Sequence, residues 1–222
     1  GAMFGIIPKP LWEKQVTPDD LNRISMVTRS LLLVSEKRKI LVDTGNGTKW
    51  EEKYKNIYNI NTDKYSIEKS LGKYQFSAED ITDVICTHLH FDHIGGNTKL
   101  ESGKVIPTFP NAKYWMTEEN WKLANHPSQK DAGSFMEQDW KVLAENQMIE
   151  IVDGKESFID GVETYLTYGH TPGLLHPIIS DGSKKLFYGA DIFPMVAHIP
   201  TSWVMAYDVQ PVLTIQEKQR LL

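Results

Sequence analysis

The sequence predicts a mixed α and β fold in which two sheets pack together with helices on the outside. Strand-like runs open the chain, helical patterns occupy its middle, and strands return before a last helical pattern. Sheets and helices each have an apolar side to bury, so this order favours two sheets between helices. The 222 residues, 41% of them hydrophobic, suffice for a sizeable core and favour one domain over residues 1–222.

The first half of the chain contains an early hairpin and a strand that leads into a histidine cluster. Residues 26–34 and 39–43 are β-rich runs joined by a polar turn. Residues 66–71 have a short helical pattern, and residues 77–80 fit a capping box that opens a short turn. Residues 83–87 predict a buried strand that runs directly into the cluster.

Helices and then strands follow the cluster. Helical spacing covers 117–125 and 134–145, with predicted capping residues at Thr117 and at Ser134, the latter completed by Glu137. Strands separated by Asp-Gly turns are predicted at 149–152, 162–168, 175–180 and 185–189. A capping box formed by residues 214–217 predicts the start of a helix at the end of the sequence.

Charge and composition exclude several classes of partner. The net charge is -5, and the lysines and arginines are scattered, so we expect neither nucleic acid nor an anionic membrane surface as a partner. The single cysteine, Cys86, excludes a disulfide within the chain and a cysteine-rich zinc site, and favours the cytoplasm. No apolar stretch approaches the ~18 residues that span a bilayer, and no signal peptide is recognisable, so we expect a soluble protein.

The segment after the third predicted strand concentrates metal-binding side chains. It places His88, His90, Asp92 and His93 within six residues and ends in two glycines. A lone loop histidine is most often solvated, but three histidines and an aspartate at this spacing favour a metal site. Imidazoles two residues apart in an extended segment share a side, and the turn that follows directs the next pair to a neighbouring point. One short loop can therefore serve two adjacent ions.

Two later strand ends offer further ligands. His170 lies between glycines and a proline after one predicted strand, and Asp191 follows a glycine after another. Taken alone, the histidine fits a hydrogen-bonded turn and the aspartate an ordinary cap. Beside the first cluster, a ligand role is the better interpretation, and we expect both residues to converge with that cluster.

These residues resemble the metallo-β-lactamase superfamily. Its H-x-H-x-D-H signature appears at residues 88–93, followed in the family's order by His170 and Asp191, and residues 41–45 resemble its early strand and loop. The segments GHTPG, GADIFPMVAHIP and SWVMAYD look most like the branch of quorum-quenching lactonases and methyl parathion hydrolase. The resemblance implies a four-layer αβ/βα sandwich with the metals at one edge of the two sheets.

The resemblance also implies a division of the ligands between two divalent ions. His88, His90 and His170 would hold the first ion, Asp92 and His93 the second, and Asp191 would bridge both. Zinc is the first choice, while manganese, iron and cobalt suit the same donors. Such a pair activates a water molecule, so a metal-bound hydroxide is the expected nucleophile. Asp92 is the expected catalytic residue, which orients this water and passes a proton to the leaving group.

Other residues have weaker signals. Asp43 is either a solvated turn residue or a group that orients a ligand histidine through its second ring nitrogen, and we favour the latter. Five residues near Asp191 are candidates for lining a substrate pocket, although such residues often simply pack. They are Phe193, Met195, His198, Trp203 and Tyr207.

Three residues are assigned no part in the site. His126 is expected on a surface loop, and His176 is expected to be a hydrogen-bonded histidine of a strand. Cys86 is expected to be a small buried hydrophobe, since a buried thiol is inert.

The expected function is metal-dependent hydrolysis of a small ester, lactone or related substrate. One alternative is a thioesterase like glyoxalase II, although its additional helical domain needs a longer chain. A di-iron oxygen or nitric oxide reductase has the same fold, but its signature resembles H-x-E-x-D-H, whereas residue 90 is a histidine here. A non-catalytic binding descendant is the remaining alternative, and the six retained ligands argue against it. The sequence predicts neither the substrate nor the oligomeric state.

The end of the sequence carries a further expectation. Family members of this type supply one more histidine to the second metal, after a helix, and no histidine follows His198. The predicted last helix has room for about two turns before Leu222, which is short for a helix. We therefore expect that the chain lacks its C-terminal end, and that it binds the second metal weakly, with water or His198 in the vacant position. The alternative is a protein that works with one metal ion.

Overall fold

The computed structural model describes residues 1–62 and 65–222, which divide into two compact units. The central unit comprises Thr28–Pro127 and Ala132–Val152. The terminal unit comprises Gly1–Val27, Ser128–Asp131 and Asp153–Leu222. Each unit contains its own main sheet. One domain over the whole chain stays a prediction.

Regular elements alternate along the described residues. The strands are β1 (Leu31–Val34), β2 (Lys39–Val42), β3 (Asp83–Ile85), β4 (Thr98–Glu101), β5 (Lys104–Pro107), β6 (Lys113–Thr117), β7 (Ile149–Val152), β8 (Val162–Thr167), β9 (Leu174–Ser180) and β10 (Lys185–Phe187). The helices are α1 (Lys9–Trp12), α2 (Glu52–Tyr58), α3 (Ile67–Gly72), α4 (Phe91–Ile94), α5 (Glu118–Asn125), α6 (Lys141–Glu145) and α7 (Pro211–Leu221). Short 3-10 turns lie at Ala2–Phe4, Ala78–Asp80, Gly95–Asn97, Ala132–Ser134, Glu137–Asp139, Ala190–Ile192 and Val196–His198.

The central unit is built on a sheet of five strands in the order β1-β2-β3-β6-β7. β1 pairs antiparallel with β2, and the other neighbours are parallel. β3 is buried along its length, as expected of a parallel strand covered on both faces. The carboxyl ends of parallel strands lie at one edge, and Val42 pairs with Ile85, so the residues that follow β2 and β3 meet at that edge.

The terminal unit contains a three-stranded antiparallel sheet in the order β10-β9-β8. β8 and β10 both run antiparallel to β9, so they run in the same direction and end at the same edge of the sheet. His170 follows β8 and Asp191 follows β10. The topology alone therefore brings these two residues to one edge.

Most predicted elements occur, and the capping box of Ser77 and Asp80 is present at its 3-10 turn. The helix predicted at 134–145 is wrong, because only α6 is α-helical, while Ala132–Ser134 and Glu137–Asp139 are separate 3-10 turns. The backbone is extended at Met136, with φ -120° and ψ 106°, and it is non-helical again at Trp140, with φ -137°. The strand predicted at 26–34 is shorter, because its partner β2 ends before Asp43, where φ is +55°.

The predicted start of the last helix is also wrong. α7 begins at Pro211, whose fixed φ suits the first helical position. The hydroxyl of Thr214 therefore donates to the carbonyl of Gln210 inside the helix, and Glu217 contacts other backbone groups. In residues 1–62 and 65–222, no helix combines the length and apolar character that crossing a bilayer requires.

Candidate metal centre

The histidine cluster lies in the central unit, at the carboxyl edge of its sheet. His88 and His90 follow β3. His90 has extended backbone and is the N-cap of α4, which carries Asp92 and His93. The ring centroids of His88 and His90 are 4.5 Å apart, and those of His88 and His93 are 4.0 Å apart. The structure therefore brings the three imidazoles of this loop together, as the spacing predicts.

Hydrogen bonds hold the backbone of this loop at Leu89 and at His93. The N–H of Leu89 donates to Oδ1 of the buried Asn120 at 2.7 Å. The N–H groups of Thr44 and Gly45 donate to the carbonyl of His93 at 2.7 and 3.0 Å. Gly96 packs so tightly on the chain after β2 that a Cβ atom there would lie 2.4 Å from the Thr44 carbonyl oxygen. A side chain at this position would have to displace backbone.

Asp43 lies at the centre of the hydrogen bonds behind the loop. It is 2% exposed, and its Oδ1 accepts from the N–H of Thr87 at 2.9 Å. Its Oδ2 accepts from the hydroxyl of Thr87 and from Nδ1 of His93, both at 2.8 Å. This is the contact expected of a carboxylate that orients a ligand histidine, since it leaves Nε2 as the coordinating atom.

Thr87 extends the same arrangement to His88. The hydroxyl proton of Thr87 is donated to Asp43, so Oγ1 acts as the acceptor for Nδ1–H of His88 at 3.0 Å. The favoured tautomer of His88 therefore also presents Nε2 as its ligand atom. Thr87 was missed by the sequence analysis, because a threonine at the end of a β-rich run looks like an ordinary strand residue.

The other two predicted ligands lie together in the terminal unit. Nε2 of His170 is 3.3 Å from Oδ2 of Asp191, so both groups can serve one ion. Nδ1 of His170 donates to Oδ1 of Asp208 at 2.8 Å, with both side chains 1% exposed. Asp208 was also missed, because an aspartate three residues before Pro211 resembles a helix cap.

The donor set of each unit suits a divalent transition metal. Each unit supplies both imidazole and carboxylate, which are the ligands that zinc, manganese, iron and cobalt accept. In His88, His93 and His170, an oxygen atom of the protein accepts from Nδ1. Ligand histidines in metalloproteins are commonly held in this way. Binding of the same ions by residues of both units stays a prediction.

The five candidates for a substrate pocket have different surroundings within the terminal unit. His198 is buried, its ring is stacked on Phe4 with centroids 5.4 Å apart, and its Nε2 bonds the carbonyl of Met3 at 2.7 Å. Burial lowers the pKa of His198. Trp203 meets Phe4 edge-on at 6.0 Å. These two side chains have packing roles, which compete with a role in binding.

The remaining three candidates are more accessible. Phe193 and Met195 are partly buried, and Tyr207 is exposed. Nζ of Lys218 lies 5.6 Å from the centroid of the Phe193 ring. A pocket role for all five residues stays a prediction.

The three residues left out of the predicted site lie where the sequence indicates. His126 is exposed. His176 is fully buried, with Nε2 2.8 Å from the hydroxyl oxygen of Thr167, and burial lowers its pKa to about 4. Cys86 is buried, and burial raises the pKa of its thiol to about 12, so it is an inert part of the core.

A buried ion pair contacts the backbone just after the histidine loop. Nζ of Lys49 is 3.1 Å from Oδ1 of Asp139, and both side chains are at most 3% exposed. The same ammonium donates to the carbonyls of Gly95, the first residue of the 3-10 turn after α4, and of Thr98, which follows that turn. Burial lowers the pKa of Lys49 and raises that of Asp139, while each charge opposes the shift of the other.

Comparison with known proteins gives one family. A family model described as the metallo-beta-lactamase superfamily matches residues 26–221. An N-acyl homoserine lactonase from a Bacillus species is 27% identical over 170 residues, which cover 71% of this chain and 59% of that protein. A lactonase from Bacillus cereus is 27% identical over 168 residues, with the same coverage. The chain thus spans less than two thirds of the length of these relatives.

Solved structures have the same fold. A probable metal-dependent hydrolase from Staphylococcus aureus matches with a TM-score of 0.90 and 29% identity, over 100% of this chain and 78% of that one. AidC, a dizinc quorum-quenching lactonase in complex with the product N-hexnoyl-L-homoserine, matches with a TM-score of 0.68 and 26% identity, over 86% of this chain and 66% of that one.

Proposed function

The chain belongs to the metallo-β-lactamase superfamily and has its fold, and on this basis we propose that it is a metal-dependent hydrolase of a small lactone or ester. The observation that carries the proposal is the hydrogen bonding of three predicted ligand histidines. Each has its Nδ1 held by an oxygen atom, so that Nε2 is the coordinating atom. In two of them the partner is a buried carboxylate, whereas Nδ1 of the core residue His176 faces a backbone carbonyl, that of Tyr188, at 3.3 Å.

The proposed ligand set follows the resemblance residue by residue. His88, His90 and His170 would hold one divalent ion, Asp92 and His93 a second, and Asp191 both. Two divalent metal ions bound there would supply an activated water molecule and polarise the carbonyl of the substrate. Zinc is the first choice, because imidazole and carboxylate donors are its usual ligands.

Asp92 is the proposed catalytic residue of this chain. Its side chain is 39% exposed, and Oδ2 lies 3.7 Å from Nε2 of His93. A carboxylate that is both accessible and beside the proposed ligands can orient the attacking water and then donate a proton to the leaving alkoxide. No serine or cysteine nucleophile is needed for this reaction.

The substrate class is proposed from the relatives. The curated matches are N-acyl homoserine lactonases, and the AidC structure contains an acyl homoserine product. We therefore expect a small neutral molecule with a lactone or ester bond, and no nucleic acid partner. The single cysteine is a buried thiol, which suits the cytoplasm as the place of action.

Metal analysis followed by a substrate panel tests the proposal. The purified protein should contain transition metal and should open N-acyl homoserine lactones faster than it cleaves phosphotriesters, thioesters or β-lactams. Asp191→Ala should lower metal content and lactone hydrolysis together, while the exposed His126→Ala serves as the matched control. A protein that binds no zinc or manganese after reconstitution, or full activity of Asp191→Ala, would overturn the proposal.

A further inference from the structure

Glu217 is a buried carboxylate that contacts the turn before His170. It lies in the second half of α7 and is 4% exposed. Its Oε1 accepts from the N–H of Tyr168 at 2.7 Å, and its Oε2 accepts from the N–H of Gly169 at 2.9 Å. A carboxylate leaves water at little cost only where other donors replace its hydration. Here those donors belong to the two residues that precede a proposed metal ligand.

Residues just before α7 and in its first turns also contact the turn that contains Gly169 and His170. The N–H groups of Val209 and Gln210 donate to the carbonyls of His170 and Gly169 at 3.0 and 2.8 Å. α7 also packs directly on Gly169, where a Cβ atom would lie 2.3 Å from the backbone nitrogen of Thr214. With Asp208 bound to the ring of His170, residues 208–217 hold the backbone and the imidazole of this histidine.

We propose that Glu217 is a positioning residue of the metal centre, which acts through the backbone of Tyr168 and Gly169 to fix His170. The inference rests on the proposed function, because the ligand role of His170 is part of it. One carboxylate that binds two successive N–H groups fixes both peptide planes, and Asp208 then fixes the ring. Metal coordination needs this precision, since a ligand atom must lie within about 0.5 Å of its productive position.

The charge of Glu217 is difficult to explain by packing alone. An apolar side chain at residue 217 would dock α7 without removing a carboxylate from water. The two N–H groups lie just past the end of β8, so the sheet no longer supplies acceptors for them. A carboxylate is the side chain that accepts from both at once.

Binding of cobalt to the purified protein tests the role, because Co²⁺ reports its own coordination in its visible spectrum. Glu217→Gln has nearly the same size but replaces one acceptor with an amide donor that faces an N–H group. We expect its apparent dissociation constant for Co²⁺, measured against a competing chelator, to rise about 10-fold or more, with an altered spectrum. Gln219→Ala, at an exposed position of the same helix, should change neither quantity.

Thermal unfolding of the metal-free proteins shows which variants fold. If Glu217→Gln does not fold, Glu217→Asp retains the charge with a shorter reach and should show a smaller loss of cobalt affinity. A folded variant with wild-type affinity and spectrum would overturn the positioning role, as would loss of the fold in both variants. Failure of the wild-type protein to bind cobalt would overturn the proposed function, and this inference with it.

Discussion

At the scale of single residues, three of the proposed ligand histidines have a side-chain oxygen as the acceptor for Nδ1, whereas Nδ1 of the buried His176 faces the backbone carbonyl of Tyr188. His93 and His170 donate to the carboxylates of Asp43 and Asp208, and His88 donates to the hydroxyl of Thr87. A carboxylate partner fixes the tautomer and makes the other nitrogen a stronger ligand. Asp43 therefore contacts one proposed ligand, His93, directly and a second, His88, through Thr87.

Asp43→Asn tests this influence with little change in shape. Asparagine tolerates the positive φ of this position, so the backbone should be retained. The amide removes the negative charge and one of the acceptors, and we expect metal affinity to fall about 10- to 100-fold. Competition with a chelator measures the change, and the exposed Asp160→Asn is the control. Equal affinities in the two variants would contradict the role of Asp43.

His176 predicts how the stability of the metal-free protein depends on pH. Burial lowers its pKa from 6.5 to about 4. Between these values the unfolded chain binds more protons than the folded chain, so the free energy of unfolding falls as pH falls below about 6.5. The loss approaches about 1.4 kcal/mol per pH unit, and roughly 3 kcal/mol in all.

Denaturant unfolding of the metal-free protein at several pH values checks this dependence. His176→Gln removes the titrating group, so its free energy of unfolding should change less with pH below 6.5 than that of the wild type. His126→Gln, at an exposed loop position, should keep the wild-type slope. The same slope in all three proteins would show that His176 makes no contribution.

At the scale of elements, the strands that lead into the candidate site could be predicted from the pattern of residues within each strand. The strand before His88 and the strands before His170 and Asp191 occur because runs of apolar and β-branched residues determine them locally. The predicted helix at 134–145 failed because the backbone is extended at Met136 and non-helical at Trp140, which the spacing of apolar residues does not reveal. The hydrogen bonds of Asp208 and Glu217 could not be predicted, because their partners lie 38 and 48 to 49 residues away in sequence.

The pair of Lys49 and Asp139 has a testable effect on its unit. Lys49→Met leaves the carboxylate of Asp139 buried without its countercharge, which should lower the free energy of unfolding by about 3–5 kcal/mol. The double variant Lys49→Met, Asp139→Leu removes both charges and should recover most of this loss. Denaturant unfolding measures both. A double variant as unstable as the single one would show that the backbone contacts of Lys49, and not the charge of Asp139, account for the loss.

At the scale of the whole molecule, the two units carry complementary parts of the proposed ligand set. The central unit contains His88, His90, Asp92 and His93, and the terminal unit contains the remaining two ligands. Buried polar groups hold some of these residues within their own unit: Asp43 bonds His93, Lys49 bonds the backbone after the loop, and Asp208 bonds His170. The rings of His93 and His170 are therefore each oriented by a carboxylate of their own unit.

Metal should then stabilise the folded chain by linkage, because the proposed ligands are assembled only after folding. At a free zinc concentration 100 times the dissociation constant, the free energy of unfolding should rise by about 2.7 kcal/mol. His170→Ala removes one ligand of the first ion, so the same zinc concentration should stabilise this variant much less. The exposed His126→Ala should respond as the wild type does. Unfolding midpoints measured across a zinc titration decide the matter: equal stabilisation of His170→Ala and wild type would show that His170 binds no metal with the histidines of the loop.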